Sequence, residues 1–136
     1  MFIEKYPSFK IAVDVVTRLE RKYSFERHEL EKSDMIKWHF HRKADEIIII
    51  DEGAFLLAVE EDRFPFLLER GGEASVIYLS KGRKHALLPI SKISYWVYKT
   101  QEDKMVLCEG PSLKEELKKN WSVIERLANN TLPKEG

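Results

Sequence analysis

The chain has 136 residues, in which 23 lysines and arginines balance 23 aspartates and glutamates. This length suits one domain with a real hydrophobic core, and the composition is not that of a disordered, collagen-like or membrane-spanning chain. The zero net charge gives no global field that would favour nucleic acid or an anionic membrane surface. We therefore predict a single domain over residues 1–136, without a nucleic-acid or membrane partner.

The N-terminal sequence and the cysteine content bear on the cellular compartment. The segment MFIEKYPSFK is charged and lacks the apolar run of a secretory signal. The single cysteine, Cys108, cannot form an internal disulfide and fits a reducing compartment. We interpret it as a small apolar strand residue, and we expect a cytoplasmic protein.

The first periodic segment predicts a helix over about residues 8–23. Ser8 is the predicted N-cap. The β-branched Val13, Val15 and Val16 favour a strand instead, so that alternative stays open. Apolar residues recur at three- and four-residue steps, namely Phe9, Ala12, Val13, Val16, Leu19 and Tyr23.

Residues from about 24 to 108 have the pattern of an antiparallel barrel or sandwich. Short runs rich in β-branched and aromatic residues are separated by turn signals, including one at Asp51-Glu52-Gly53. The run Ile47–Ile50 predicts a central strand that is covered on both faces. The predicted strands are Met35–His41, Glu46–Ile50, Ala54–Glu60, Phe64–Glu69, Ala74–Leu79, His85–Pro89, Ile93–Lys99 and Met105–Cys108.

A second helix is predicted over about residues 112–128. Ser112 and Glu115 have the spacing of a capping box. We expect the apolar stripe of this helix to cover the barrel or a partner subunit. The stripe consists of Leu113, Leu117, Trp121, Ile124, Leu127 and Ala128.

Three of the four histidines have a spacing that a β-sheet can fold around one metal ion. His39 and His41 stand at i and i+2, so on a strand they point to the same face. Trp38 and Phe40 point to the opposite face, where they can pack into apolar core. The fourth histidine, His28, lies outside this pattern, and we interpret it as a surface or hydrogen-bonded residue.

The sequence resembles the cupin superfamily in two motifs. In the first, His39-Phe40-His41 is followed after four residues by Glu46 and after six more by Gly53. The leading glycine of that motif is absent here. In the second, the segment Ser80–His85 matches the Pro-x-Gly-x-x-His core, with serine in place of proline. Pro89 stands where the family has asparagine.

The resemblance implies a mainly β fold: a cupin-like double-stranded β-helix, or jelly-roll barrel, over about residues 24–108 with N-terminal and C-terminal α-helices. It also implies that His39, His41, Glu46 and His85 bind one divalent transition metal. Three imidazoles and a carboxylate suit iron, manganese, nickel, copper, cobalt or zinc, and ligand type does not choose among them. A homodimer is expected from the same resemblance.

Basic residues beside both motifs are candidates for substrate binding. Arg42 directly follows His41, while Arg83 and Lys84 directly precede His85. These side chains would favour an anionic small-molecule ligand. The alternative is that they are solvated turn charges.

The resemblance implies a metal-dependent enzyme of dioxygenase or isomerase type that acts on a small oxygen-bearing metabolite. The sequence assigns no separate general base, so the catalytic residues stay unknown. One alternative is a non-catalytic module that binds or senses a small molecule. Another is a structural homodimer with a degenerate site, against which the intact ligand residues argue.

Overall fold

The computed structural model describes residues 2–19, 25–32, 34–60, 62–68 and 73–122. Neither helix in these ranges is long and apolar enough to span a membrane. The strands are β1 Phe2–Tyr6, β2 Phe25–Leu30, β3 Ile36–Phe40, β4 Glu46–Val59, β5 Asp62–Leu68, β6 Ala74–Leu79, β7 His85–Pro89, β8 Ile93–Lys99 and β9 Val106–Leu107, and the helices are α1 Phe9–Leu19 and α2 Leu113–Lys119.

Two antiparallel sheets share strand β4. Its first half pairs with β6 and β8, which gives one sheet, sheet A, the order β1-β6-β4-β8-β2. Its second half pairs with β5 and β7, which gives the other, sheet B, the order β5-β4-β7-β3-β9. The shared strand closes the sheets around a common interior. The predicted fold class, a mainly β jelly roll with helices at both ends, is confirmed.

The predicted turn at residues 51–53 is wrong, because β4 runs through it without a break. The pairing of β4 with β8 shifts register between Ile50 and Glu52, and Gly53 has a φ of +109°. A residue with a side chain rarely adopts this backbone conformation. A Cβ on Gly53 would also lie 2.5 Å from the Lys92 carbonyl oxygen. Gly53 therefore permits the local break in regular pairing at which β4 passes from sheet A to sheet B.

Two strands were missing from the prediction. Strand β2, with the sequence FERHEL, is mostly charged or ionisable and so lacks an apolar signature. It nevertheless pairs with β8 in unbroken register, from Phe25 opposite Tyr98 to Leu30 opposite Ile93. Strand β1 is a charged edge strand that pairs only with β6 among the described strands.

Helix α1 forms where it was predicted, and the strand alternative is wrong. The Ser8 hydroxyl accepts a hydrogen bond from the Ile11 N–H at 3.2 Å, as an N-cap does. Ala12 and Val16 are fully buried against sheet A. Tyr23, the last residue of the predicted stripe, lies outside the described residues.

The isoleucine run packs into two different cores. Ile48 and Ile50 face the barrel interior, where they join Phe55, Leu57 and other buried residues. Ile47 and Ile49 face outward and pack against α1. All four side chains are buried. The prediction that this strand is covered on both faces is confirmed.

The outer face of sheet B is covered by the segment that leads into α2. Leu113 is fully buried there beside Trp38. The Trp38 indole N–H donates a hydrogen bond to the Pro111 carbonyl at 2.9 Å. The Arg63 guanidinium lies 5.5 Å from the Trp38 ring and 2.8 Å from the Glu116 carboxylate. These contacts hold the start of α2 on its own barrel.

The predicted cap and stripe of α2 can be followed only in part. The Ser112 hydroxyl accepts a hydrogen bond from the Glu115 N–H, so Ser112 is the N-cap. Trp121 is 43% exposed. The rest of the predicted stripe, Ile124, Leu127 and Ala128, lies outside the described residues. Cys108 is a free thiol beside the apolar cluster at Trp38.

Gly53→Ala should destabilise the protein more than Gly82→Ala does. Both glycines have positive φ, +109° and +83°, which costs a residue with a side chain about 1–2 kcal/mol. Only at Gly53 does the new Cβ collide with backbone, since nothing lies within 4 Å of the Cβ position at Gly82. That overpacking adds about 1–3 kcal/mol. Urea denaturation measures both losses, and equal losses would contradict the role of Gly53.

Candidate metal centre

Four buried side chains converge at one end of the barrel. His39 lies near the end of β3 and His41 just beyond it, while Glu46 and His85 are the first residues of β4 and β7. One ligand atom from each lies within 4.8 Å of the others. The residues are between 3% and 7% exposed. The structure therefore brings all four sequence-predicted ligand residues together.

A bulge in β3 directs His39 inward. Ile36 pairs with Leu87, and His39 pairs with His85, so three steps on β3 match two on β7. Without the extra residue, Ile36 and His39 would face opposite sides of the sheet. With it, both line the interior. Trp38 packs into the apolar cluster on the outer face of sheet B, as the alternation predicted, whereas Phe40 is only half-buried.

The loop between His41 and Glu46 is tied to its neighbours. The Gly82 N–H donates to the His41 carbonyl at 2.7 Å, which joins the two motif segments directly. The Asp103 carboxylate accepts hydrogen bonds from the Lys43 and Ala44 N–H groups at 2.6 and 3.0 Å. These bonds fix the backbone that carries two of the four side chains.

Hydrogen bonds to main-chain carbonyls set the tautomers of two imidazoles. His39 Nδ1 lies 2.7 Å from the Lys37 carbonyl oxygen, and His85 Nδ1 lies 2.9 Å from that of Arg83. Because a carbonyl oxygen only accepts, each Nδ1 carries the proton. In the neutral ring the lone pair is then on Nε2, which leaves that atom free to bind a metal ion.

The contacts of Glu46 fit a bound cation. Its Oε2 lies 3.0 Å from His41 Nε2 and 3.2 Å from His85 Nε2. Yet Glu46 Oε2 and His85 Nε2 are buried and make no hydrogen bond of acceptable geometry. Buried acceptors that face one another repel unless a proton or a metal ion lies between them. The donor set of three imidazoles and one carboxylate fits a divalent transition metal.

Burial and neighbouring charges shift the ionisation of the cluster. Burial, together with the charge of His85, lowers the pKa of His39 from 6.5 to about 4. Burial on its own would raise the pKa of Glu46, but its contacts with His41 and His85 outweigh that effect and lower it. His39 is therefore held neutral and Glu46 ionised, the states in which both bind a metal.

A cavity of about 280 Å³ opens onto the four side chains. Its remaining wall is largely apolar, so a ligand there would be shielded from water on most sides. The wall consists of Leu30, Ile36, Ile48, Leu57, Leu87, Tyr95, Val97 and Met105, with the polar residues Glu26, His28 and Lys99.

His28 is part of this wall, which its interpretation as a surface residue did not anticipate. It stacks on Tyr95 with ring centroids 5.4 Å apart and lies 3.4 Å from the Glu26 carboxylate. Its side chain is still 41% exposed. Alternation along a strand would have placed Glu26, His28 and Leu30 on one face if β2 had been recognised.

No protein-family model and no curated protein matches the sequence. Solved structures do match the fold. The match to an oxalate oxidase covers 82% of this chain and 64% of the oxidase chain, at 15% identity and a TM-score of 0.51. The match to the capsular polysaccharide assembling protein CapF from Staphylococcus aureus covers 67% of this chain, at 10% identity and a TM-score of 0.55. A cupin-2 domain protein from Shewanella frigidimarina covers 63% of this chain and 88% of its own at 18% identity and a TM-score of 0.43.

This chain has two antiparallel sheets that share one strand, and a His/His/Glu/His cluster lies at one end of the barrel. The chain has the cupin fold. It spans only 29% of the length of the CapF chain. At these identities the likeness shows architecture, and activity has to be argued from the site itself.

The three basic candidates lie outside the cavity of this cupin barrel. Arg42 lies over the Phe40 ring at 5.9 Å and lines an adjoining surface groove. Arg83 and Lys84 line a separate depression beside Trp38. Their role in substrate binding stays a prediction, and the cavity instead has Lys99 in its wall.

The metal-free protein should lose stability as the pH falls from about 6.5 to about 4. In this window the unfolded chain binds a proton at His39 that the folded chain does not, so the free energy of unfolding decreases. The slope for this group is at most about 1.4 kcal/mol per pH unit. Urea unfolding with a chelator present measures it. His39→Gln should flatten the dependence of the free energy of unfolding on pH. His28→Gln is the control for loss of an imidazole and should keep the slope. An unchanged slope in His39→Gln would contradict the assignment of this pH dependence to His39.

Proposed function

We propose that this protein is a metal-dependent enzyme that acts on a small oxygen-bearing metabolite in a reaction of dioxygenase or isomerase type. His39, His41, Glu46 and His85 would hold one divalent transition metal. The observation that carries the proposal is the convergence of four buried ligand atoms within 4.8 Å in a cavity whose remaining wall is largely apolar. Buried ionisable groups of this kind are costly to a fold and cluster at functional sites.

A metal ion with open positions would supply Lewis acidity or, if it is iron, activation of dioxygen. The protein contributes the surroundings. Carbonyl hydrogen bonds orient His39 and His85, and the hydrogen-bonded loop holds His41 and Glu46 in place. The apolar wall limits the access of water to a bound substrate.

A second candidate is a non-catalytic module that binds a small molecule through the ion. It is favoured by the position of the other ionisable groups in the cavity wall. Glu26 and His28 have side chains 63% and 41% exposed, so neither is a general base enclosed beside the cluster. Burial and the charge of Glu46 raise the pKa of Tyr95, which makes it a weak proton donor.

The purified, untagged protein should contain about one transition metal per chain. His85→Ala removes a ligand and a partner of Glu46, so its metal content should fall to near zero by elemental analysis. His28→Ala is the matched control, because it removes an imidazole from the same cavity wall but not from the cluster. Equal metal content in the wild type and His85→Ala would contradict the shared site.

The same samples separate an enzyme from a binding module. Wild-type protein loaded with its native metal should convert at least one member of a panel of small hydroxy and keto acids, measured by oxygen uptake and product mass, and His85→Ala should not. Binding of panel members without turnover would favour the non-catalytic module. The identity of the metal decides which reaction is assayed first.

Two further expectations stay predictions, namely a homodimer and a cytoplasmic location. The exposed Trp121 side chain on the described part of the C-terminal segment is compatible with a subunit contact. The convergence of the four ligand residues counts against a purely structural dimer with a degenerate site.

A further inference from the structure

Lys99 lies where the cavity meets a larger surface groove. The groove has a volume of about 700 Å³, and both Glu26 and Lys99 line the groove as well as the cavity. The remaining groove residues are Arg42, Lys43, Glu102, Asp103, Lys104 and Val106. A ligand that extends from the His/His/Glu/His cluster toward solvent would therefore pass Lys99.

None of the described residues neutralises the ammonium group of Lys99. Glu26 contacts His28 at 3.4 Å, and Asp103 accepts hydrogen bonds from two main-chain N–H groups. Among the residues that the structure describes, no carboxylate lies within ion-pair distance of Lys99. It is also the only lysine or arginine in the described wall of the cavity.

The register of the sheet places Lys99 close to the cluster. Lys99 on β8 is directly opposite Glu46 on β4. Residues opposite each other on neighbouring strands point to the same face, with Cβ atoms roughly 5 Å apart. An anionic group on a ligand held at the cluster would thus be within reach of the lysine side chain.

We propose that Lys99 binds a carboxylate of the ligand and so makes this site selective for small acids. Such an acid would have metal-binding oxygen atoms at one end, a short apolar body against the cavity wall, and a carboxylate at the other end. A charge-assisted hydrogen bond to a lysine is about twice as strong as a neutral one. This inference rests on the proposed function, because the ion would hold the first end of the ligand.

The test uses two hydroxamates of equal chain length on metal-loaded protein. Butanohydroxamate ends in a methyl group, and succinic monohydroxamate carries a carboxylate in its place. By calorimetry, wild-type protein should bind the acid roughly tenfold more tightly than the neutral probe. Lys99→Met should abolish this preference and leave the dissociation constant of the neutral probe unchanged, which also shows that the variant is folded and loaded.

Lys92→Met is the matched control, because Lys92 is exposed and lies outside the cavity. It should keep the full preference for the acid. A preference that survives in Lys99→Met, or that is absent from the wild type while both probes bind, would overturn the role of Lys99 and leave the metal site standing. Failure of both probes to bind metal-loaded wild type would overturn the proposed function together with this inference.

Discussion

A carboxylate buried beside three imidazoles is the interaction around which this barrel is organised. Glu46 lies 3.0 and 3.2 Å from the Nε2 atoms of His41 and His85, and its Oε2 makes no hydrogen bond of acceptable geometry. An uncompensated charge at this depth would cost several kcal/mol. A divalent cation would satisfy the carboxylate and the imidazole lone pairs together. An ion bound between the four side chains would therefore stabilise the folded protein further.

Strand β4 connects this cluster to the rest of the fold. It begins at Glu46, supplies Ile48 and Ile50 to the barrel interior, bends at Gly53, and continues as a central strand of the second sheet. Its neighbours β7 and β8 carry His85 and Lys99. One strand therefore sets the relative positions of the His/His/Glu/His cluster, the cavity wall and Lys99, which we propose binds the ligand's carboxylate.

The sequence predicted those features that depend on short-range periodicity. The i and i+2 spacing of His39 and His41 placed both on one face, and the isoleucine run indicated a strand buried on both sides. It missed β2 because the residues that line the cavity there, Glu26 and His28, are polar and hide the apolar alternation of a strand. It also placed a turn at Gly53, since glycine marks both turns and bends within strands. Lys99 could not be identified, because strand register is a long-range property.

We propose that one metal ion is bound by His39, His41, Glu46 and His85. The most direct measurement is anomalous diffraction from crystals of the metal-loaded protein, recorded at the absorption edge of the bound element. We expect one peak per chain at about 2.0–2.2 Å from three imidazole nitrogens and a Glu46 oxygen. A peak elsewhere, for example between Glu26 and His28, or no peak at the cluster in fully loaded protein, would contradict the claim.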